Sequence, residues 1–111
     1  MEQKKDNVNH PSHYTWLKEK CGIEVIDITR HLDFDTGNAV KYLLRAGHKE
    51  EADMTPLEKT VEDFEKAAWY VGDKIKMLLK DMYKQSGSDM TFEEWLEERK
   101  RMKGKSSDAN E

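Results

Sequence analysis

From Leu57 to Met82 the apolar residues fall at alternating steps of four and three: Leu57, Val61, Phe64, Ala68, Val71, Ile75, Leu78 and Met82. That spacing keeps one side of an α-helix apolar along the whole run, as in a coiled coil or bundle helix, whereas a strand needs a period of two. The start is marked too: Thr55 can cap, Pro56 has the fixed φ suited to a first helical position, and Glu58 completes a capping box. The pattern predicts a helix from Pro56 to about Tyr83. It would be roughly 40 Å long at about 1.5 Å per residue, against a radius of gyration of about 13 Å for a compact domain of this length. Such a helix is expected to pair with a neighbouring copy. A second apolar set off the seam, Trp69, Tyr70, Met77 and Leu79, points the same way. Gly72 inside the helix costs about 1 kcal/mol relative to Ala, which leads us to expect something packed against the backbone there.

The remaining helices are shorter. Ile23, Ile26 and Leu32 are spaced to face inward on a helix from about Gly22 to Leu32, with Val25 and Ile28 widening the stripe. Asp35-Thr36-Gly37-Asn38 offers side-chain oxygens to cap a second helix over Ala39 to Ala46, which Gly47 would end. After Gln85-Ser86-Gly87-Ser88, a second capping box, Thr91 with Glu94, opens a charged helix carrying Phe92, Trp95, Leu96 and Met102. The fold class expected is therefore all-α: a small, oligomeric helical bundle with one long helix at about 56–83. The expected organisation is a flexible stretch 1–8, a single helical domain 9–102 and a disordered tail 103–111.

Charged residues make up 38% and the net charge is −4, so bulk attraction to nucleic acid or anionic lipid is not expected and any phosphate site must be local. A single cysteine, Cys21, allows no internal disulfide. Met1 to Asp6 lack an apolar stretch, and no run approaches the roughly 20 apolar residues of a membrane span. The expectation is a cytoplasmic protein that does not enter the membrane.

Three groups of residues could carry chemistry. Asn38, Lys41, Arg45 and Lys49 recur at steps of three and four, so a persisting helix would line them on one face. Arg binds phosphate oxygens in pairs and Lys adds a mobile charge. A solvated basic face is the plain alternative. His10 and His13 flank Pro11 and Ser12 on a constrained loop followed by Tyr14 and Trp16, and imidazoles suit proton transfer near neutral pH. Ordinary loop hydrogen bonds would use the same residues. Trp69 and Tyr70 could stack a base or simply fill a core. His-x-x-His without Cys or a partner carboxylate is a poor zinc signature, so neither a metal nor a cofactor is expected. Glu24-x-x-Asp27 matches half of a helical pyrophosphohydrolase's Mg²⁺ site, but the long helix has no Glu-x-x-Asp to complete it. No Gly-rich loop ending in Gly-Lys-Ser/Thr is present, which excludes a P-loop kinase.

Taken together, Val8-Asn9-His10-Pro11-Ser12-His13-Tyr14, Gly22-Ile23-Glu24-Val25-Ile26-Asp27, Gly37-Asn38-Ala39-Val40-Lys41-Tyr42-Leu43-Leu44-Arg45-Ala46-Gly47 and Lys66-Ala67-Ala68-Trp69-Tyr70 resemble a family of small tailed-phage proteins of unknown function. That family is often labelled nucleotide kinase by similarity to the nucleoside monophosphate kinase of T-odd coliphages. The resemblance covers roughly residues 8–80. It implies a helical protein acting without a Walker loop or metal in the cytoplasm of an infected bacterial host. Carried onto this chain, it implies a site of Asn9, His10, His13 and Tyr14 with Asn38, Lys41 and Arg45, in which Lys41 and Arg45 hold phosphates and His10 or His13 handles a proton. Trp69 is the candidate for stacking a base.

The leading expectation is a nucleotide-binding homo-oligomer, kinase-like if it catalyses, transferring phosphate from ATP or dTTP to dTMP or dGMP. A non-catalytic sponge that sequesters a host signalling nucleotide to counter antiphage defence is the first alternative, and a Mg²⁺-dependent pyrophosphohydrolase the second. A purely structural protein, docking a host factor along the seam, is the third.

Overall fold

The computed structural model describes residues 12–110. Every regular element among them is helical: a 3-10 turn Ser12–Tyr14, then α1 Thr15–Cys21, α2 Val25–Thr29, α3 Phe34–Arg45, α4 Pro56–Ser86 and α5 Phe92–Asn110. No helix is long and apolar enough to cross a membrane among the described residues. The chain groups into two compact units, Met1–Lys74 and Ile75–Glu111, so that α4 contributes to both.

In the first unit the opening helices differ from the sequence expectation. Gly22 does not begin a helix. It ends α1, with φ 75° and its N–H bonded to Lys18 O at 2.8 Å, a left-handed cap that favours glycine. The next helix, α2, is confined to five residues by its own capping box, in which Asp27 accepts from Glu24 N at 3.0 Å. Val25 is the buried side chain there, while Ile23 and Ile26 are exposed, since so short a helix cannot turn a full stripe inward. α3 begins earlier than expected because Asp33, not the stretch from Asp35, caps it. Asp33 Oδ1 accepts from Thr36 N at 3.0 Å and Oδ2 from the Thr36 hydroxyl at 2.9 Å. Gly47, at φ 85°, follows its end.

α2 packs on α3, and the 3-10 turn touches both α1 and α3. Leu17, Val25, Ala39 and Ala67 form the buried apolar core. Trp16 pins the start of α1 to α3, its indole N–H donating to Leu44 O at 3.0 Å and its ring stacked on His48 at 4.3 Å. α4 docks on α3 through charge. Asp63 is 0% exposed and Lys59 2%, on the same side of the helix as Ala67. One turn further on, Asp35 is buried against Asp73. Burial first, then the hydrogen-bonded Asp73 carboxyl, pushes the Asp35 pKa up.

The start of α4 is as the sequence indicates: Thr55 N donates to Glu58 Oε1 at 2.8 Å and Glu58 N to the Thr55 hydroxyl at 3.1 Å. Gly72 lies inside α4, and among the described residues of this chain a Cβ there would meet nothing within 4 Å.

The second unit is an aromatic cluster. Tyr83 on α4 lies 5.5 Å from Phe92 and 5.8 Å from Trp95 on α5, ring centre to ring centre. Its hydroxyl donates to Met90 O in the connection between them. Thr91 and Glu94 close the second capping box at 2.9 and 3.1 Å. Ion pairs Glu97 to Lys100 and Glu98 to Arg101 support α5, which continues past Lys103 to Asn110.

Candidate functional site

α3 carries the site because its helical period sets Asn38, Lys41, Tyr42 and Arg45 on adjoining faces. Tyr42 is the centre of it. Arg45 Cζ lies 4.4 Å from the centre of its ring, Lys41 Nζ 4.7 Å and Lys66 Nζ, from α4, 5.5 Å. The ring stacks on Tyr70 of α4 at 5.8 Å and 13°. Tyr70 in turn meets Trp69 edge-on at 5.1 Å and Phe34 edge-on at 6.0 Å. Three cations on one aromatic group concentrate positive charge on a chain whose net charge is −4.

Arg45 is held from beneath. Its Nε donates to Asp63 Oδ1 at 3.0 Å, and Lys59 Nζ stands 3.6 Å from the same oxygen. Asp63 Oδ2 is buried and has no hydrogen-bond partner among the described residues. Lys59 also donates to Glu62 at 2.6 Å, and Lys66 reaches Glu62 at 3.0 Å. The Lys59 hydrogen bond, then that of Lys66, holds the Glu62 carboxyl down to about 2. Glu62 therefore stays anionic and leaves the cations charged.

His13 and Tyr14 reach the same cluster from the 3-10 turn, their rings 4.3 Å apart. Burial, followed by Lys49 and Arg45, lowers the His13 pKa from 6.5, so the imidazole is neutral at pH 7. Tyr14 is pushed up by burial against the opposing pull of Arg45, which hydrogen-bonds its side chain. Lys49, Arg45 and Lys59 all act to lower the His13 pKa, against the opposing effect of Asp63.

Asn38 and Lys41 line a cleft of about 230 Å³ between α2 and α3 together with Thr29, Leu32, Asp33 and Phe34. The structure thus brings His13, Tyr14 and Arg45 together, with Lys41 joined to them through Tyr42 and Asn38 one turn away in the cleft. Lys49 lies beyond the end of α3, off the helical face predicted for it, although its charge acts on His13. Trp69 stands 64% exposed against the edge of Tyr70. Asn9 and His10 lie outside the described residues. Glu24 and Asp27 are engaged in the α2 capping box. No group of three or more His, Cys, Asp or Glu placed for a metal ion occurs among the described residues.

Sequence reasoning did not single out Tyr42, Lys66 or Asp63 for the site, and it offered Tyr70 only as a base-stacking or core residue. Tyr42 was inside a quoted motif, but nothing local signals that its ring meets one that is 28 positions away.

A family model described as a protein of unknown function, DUF3310, matches residues 8–72, a span that contains every side chain of the Tyr42 cluster. No curated protein and no solved structure matches the chain.

Proposed function

This chain belongs to the DUF3310 family of proteins of unknown function, and we propose from its site that it binds a nucleotide, with the phosphate held by Lys41, Arg45 and Lys66. The observation that carries the reading is the Tyr42 ring lying within 4.4 to 5.5 Å of all three cations while stacked on Tyr70. Guanidinium and ammonium groups together suit a phosphate, which Arg grips by paired hydrogen bonds and Lys by point charge. The bordering aromatics Phe34 and Trp69 suit a base. Phosphoryl transfer, the activity that the family resemblance implies, extends this reading: the same cations would hold the transferred group. Sequestration of the nucleotide would return it unchanged, so mass spectrometry of the ligand after incubation separates the two uses.

The test is calorimetric titration of nucleoside 5′-monophosphates against the matching nucleosides. The monophosphates are expected to bind at least tenfold more tightly, the contribution of one charge-assisted hydrogen bond of about 1.5–3 kcal/mol. Equal affinity would remove phosphate from the account.

His13 adds a pH signature. Its pKa is depressed in the free protein, so the imidazole is neutral at pH 7. An arriving phosphate dianion favours the imidazolium and raises that pKa. Binding is then accompanied by proton uptake, greatest between the depressed pKa of the free protein and the raised pKa of the complex and falling away on either side, and the His13 contribution to affinity grows as pH falls toward that window. Titrations in buffers of different ionisation enthalpy should show the uptake in the native chain and its loss in His13→Gln. Proton release would contradict the account.

The assembly we propose is a homo-oligomer joined along the α4 seam. Leu57 is 74% exposed and Phe64 53%, and Val61 and Val71 are exposed beside them. Helix faces of this pattern bury themselves against a second copy. Gly72→Ala distinguishes the cases, since nothing in this chain lies near the added methyl. An isolated protomer should gain about 1 kcal/mol from the better helix former. A copy packed closely on that backbone should instead dissociate more readily, read as a fall in sedimentation mass at a given concentration.

A further inference from the structure

The cleft beside α3 is too small for a whole nucleotide. Its volume of about 230 Å³ falls below the roughly 300–1,000 Å³ of clefts that enclose a drug-sized ligand, so one end of the ligand enters and the other lies outside. The walls decide which end. Asp33 presents a carboxylate, half exposed, already the N-cap of α3 and paired with Lys74 at 3.4 Å, so it offers phosphate no donor. Leu32 and the ring of Phe34, itself 75% exposed, offer apolar faces to a flat ring system. Lys41 lines the cleft and also stands 4.7 Å from the centre of the Tyr42 ring, beside Arg45 and Lys66. It is the link between the cleft and the phosphate cations.

The polar edge of the cleft accepts hydrogen bonds more than it donates them. Asn38 Nδ2 donates to Phe34 O at 2.9 Å, which fixes the plane of the carboxamide and leaves Oδ1 as an acceptor. Asp33 Oδ2 is taken by the Thr36 hydroxyl and by Lys74 Nζ at 3.4 Å, while Oδ1, bonded to Thr36 N alone, keeps acceptor capacity. Adenine, cytosine and guanine each carry an exocyclic amine that can donate to these groups. Uracil and thymine present two carbonyl oxygens around one N–H, and those oxygens would face acceptors.

Resting on the nucleotide reading above, we propose that this cleft receives the base and selects one that bears an exocyclic amine, with Asn38 and Asp33 as the reading groups, so that of the two acceptors the family resemblance implies it favours dGMP over dTMP. The proposal adds to phosphate binding a specificity that the cations alone cannot supply.

The test titrates the native protein with AMP, CMP, GMP, UMP and inorganic phosphate. The three amino-bearing nucleotides should bind about tenfold more tightly than UMP, the lower part of the range for a base-edge hydrogen-bonded pair. Asn38→Ala should bring the AMP to UMP ratio close to one, whereas Lys41→Ala should weaken AMP and UMP by similar factors. Circular dichroism checks that each variant is folded, and the ratio in the native protein stands as a test without either variant. Equal binding of all four nucleotides, or preference for UMP, would overturn base selection while leaving phosphate binding intact. No binding by any nucleotide would overturn both.

Discussion

Asp63→Ala is expected to destabilise the first unit by about 3–5 kcal/mol, the usual loss when one member of a buried ion pair is removed. Asp63 is wholly enclosed. Arg45 Nε and Lys59 Nζ both stand at its Oδ1, at 3.0 and 3.6 Å, and Lys59 is as deeply buried. Alanine leaves two cations facing each other with one anion fewer, and only Glu62 and the more distant Glu51 remain to Lys59. Against a typical total stability of about 5–15 kcal/mol, the loss should appear as a large fall in the urea midpoint. Asp63→Asn keeps the shape but not the charge and should also destabilise. Replacing all three groups with apolar residues, as in Arg45→Met with Lys59→Met and Asp63→Leu, should recover much of the loss, because the cost lies in stranded charge rather than in lost volume. An Asp63→Ala protein with an unchanged midpoint would show that the pair does not hold α3 to α4.

That network is not built for stability alone. Asp63 Oδ2 is a buried acceptor without a partner among the described residues, a condition that costs about 1–3 kcal/mol. What the arrangement secures is the orientation of Arg45. With Nε fixed on Asp63 and the guanidinium carbon 4.4 Å from the Tyr42 ring centre, the side chain has little freedom left. In the proposed function, a phosphate arriving there would meet a guanidinium already held, and less entropy would be lost on binding.

Lys41→Ala combined with Lys66→Ala is expected to weaken nucleoside monophosphate binding on the order of a hundredfold, since each removes a charge-assisted contact of about 1.5–3 kcal/mol. The remaining affinity should also depend less steeply on salt. The fold should barely notice. Lys66 is substantially exposed and its partner Glu62 keeps Lys59, so stability should stay within about 0.5 kcal/mol. Native affinity in the double variant would move the phosphate site elsewhere.

What the sequence disclosed and what it hid divide along one line: the range over which the deciding contact acts. Thr55 with Glu58 and Thr91 with Glu94 bond across three residues, so both helix starts were legible. The same rule misled at Asp35 to Asn38, where several side chains could cap and Asp33 does. Gly22 fits a helix start or a helix end equally well in sequence. Only its φ of 75° settles which. Ile23 and Ile26 had helical spacing, but a helix of five residues buries Val25 instead. In the site, Lys41 and Arg45 were visible as a basic pair on one helix. Their meaning was not, because Tyr70, Lys66 and Asp63 come from α4 and look like ordinary members of a charged amphipathic helix. A carboxylate that will be fully buried carries no local mark of it.

The most direct measurement uses the four tyrosines, Tyr14, Tyr42, Tyr70 and Tyr83. Aromatic ¹³C–¹H spectra of tyrosine-labelled protein can be followed as AMP is added. The account requires the Tyr42 and Tyr70 ring signals to move together and saturate with one dissociation constant, while Tyr83, packed against Phe92 and Trp95, stays in place. Stationary Tyr42 and Tyr70 signals at millimolar AMP, or movement at Tyr83 alone, would contradict it.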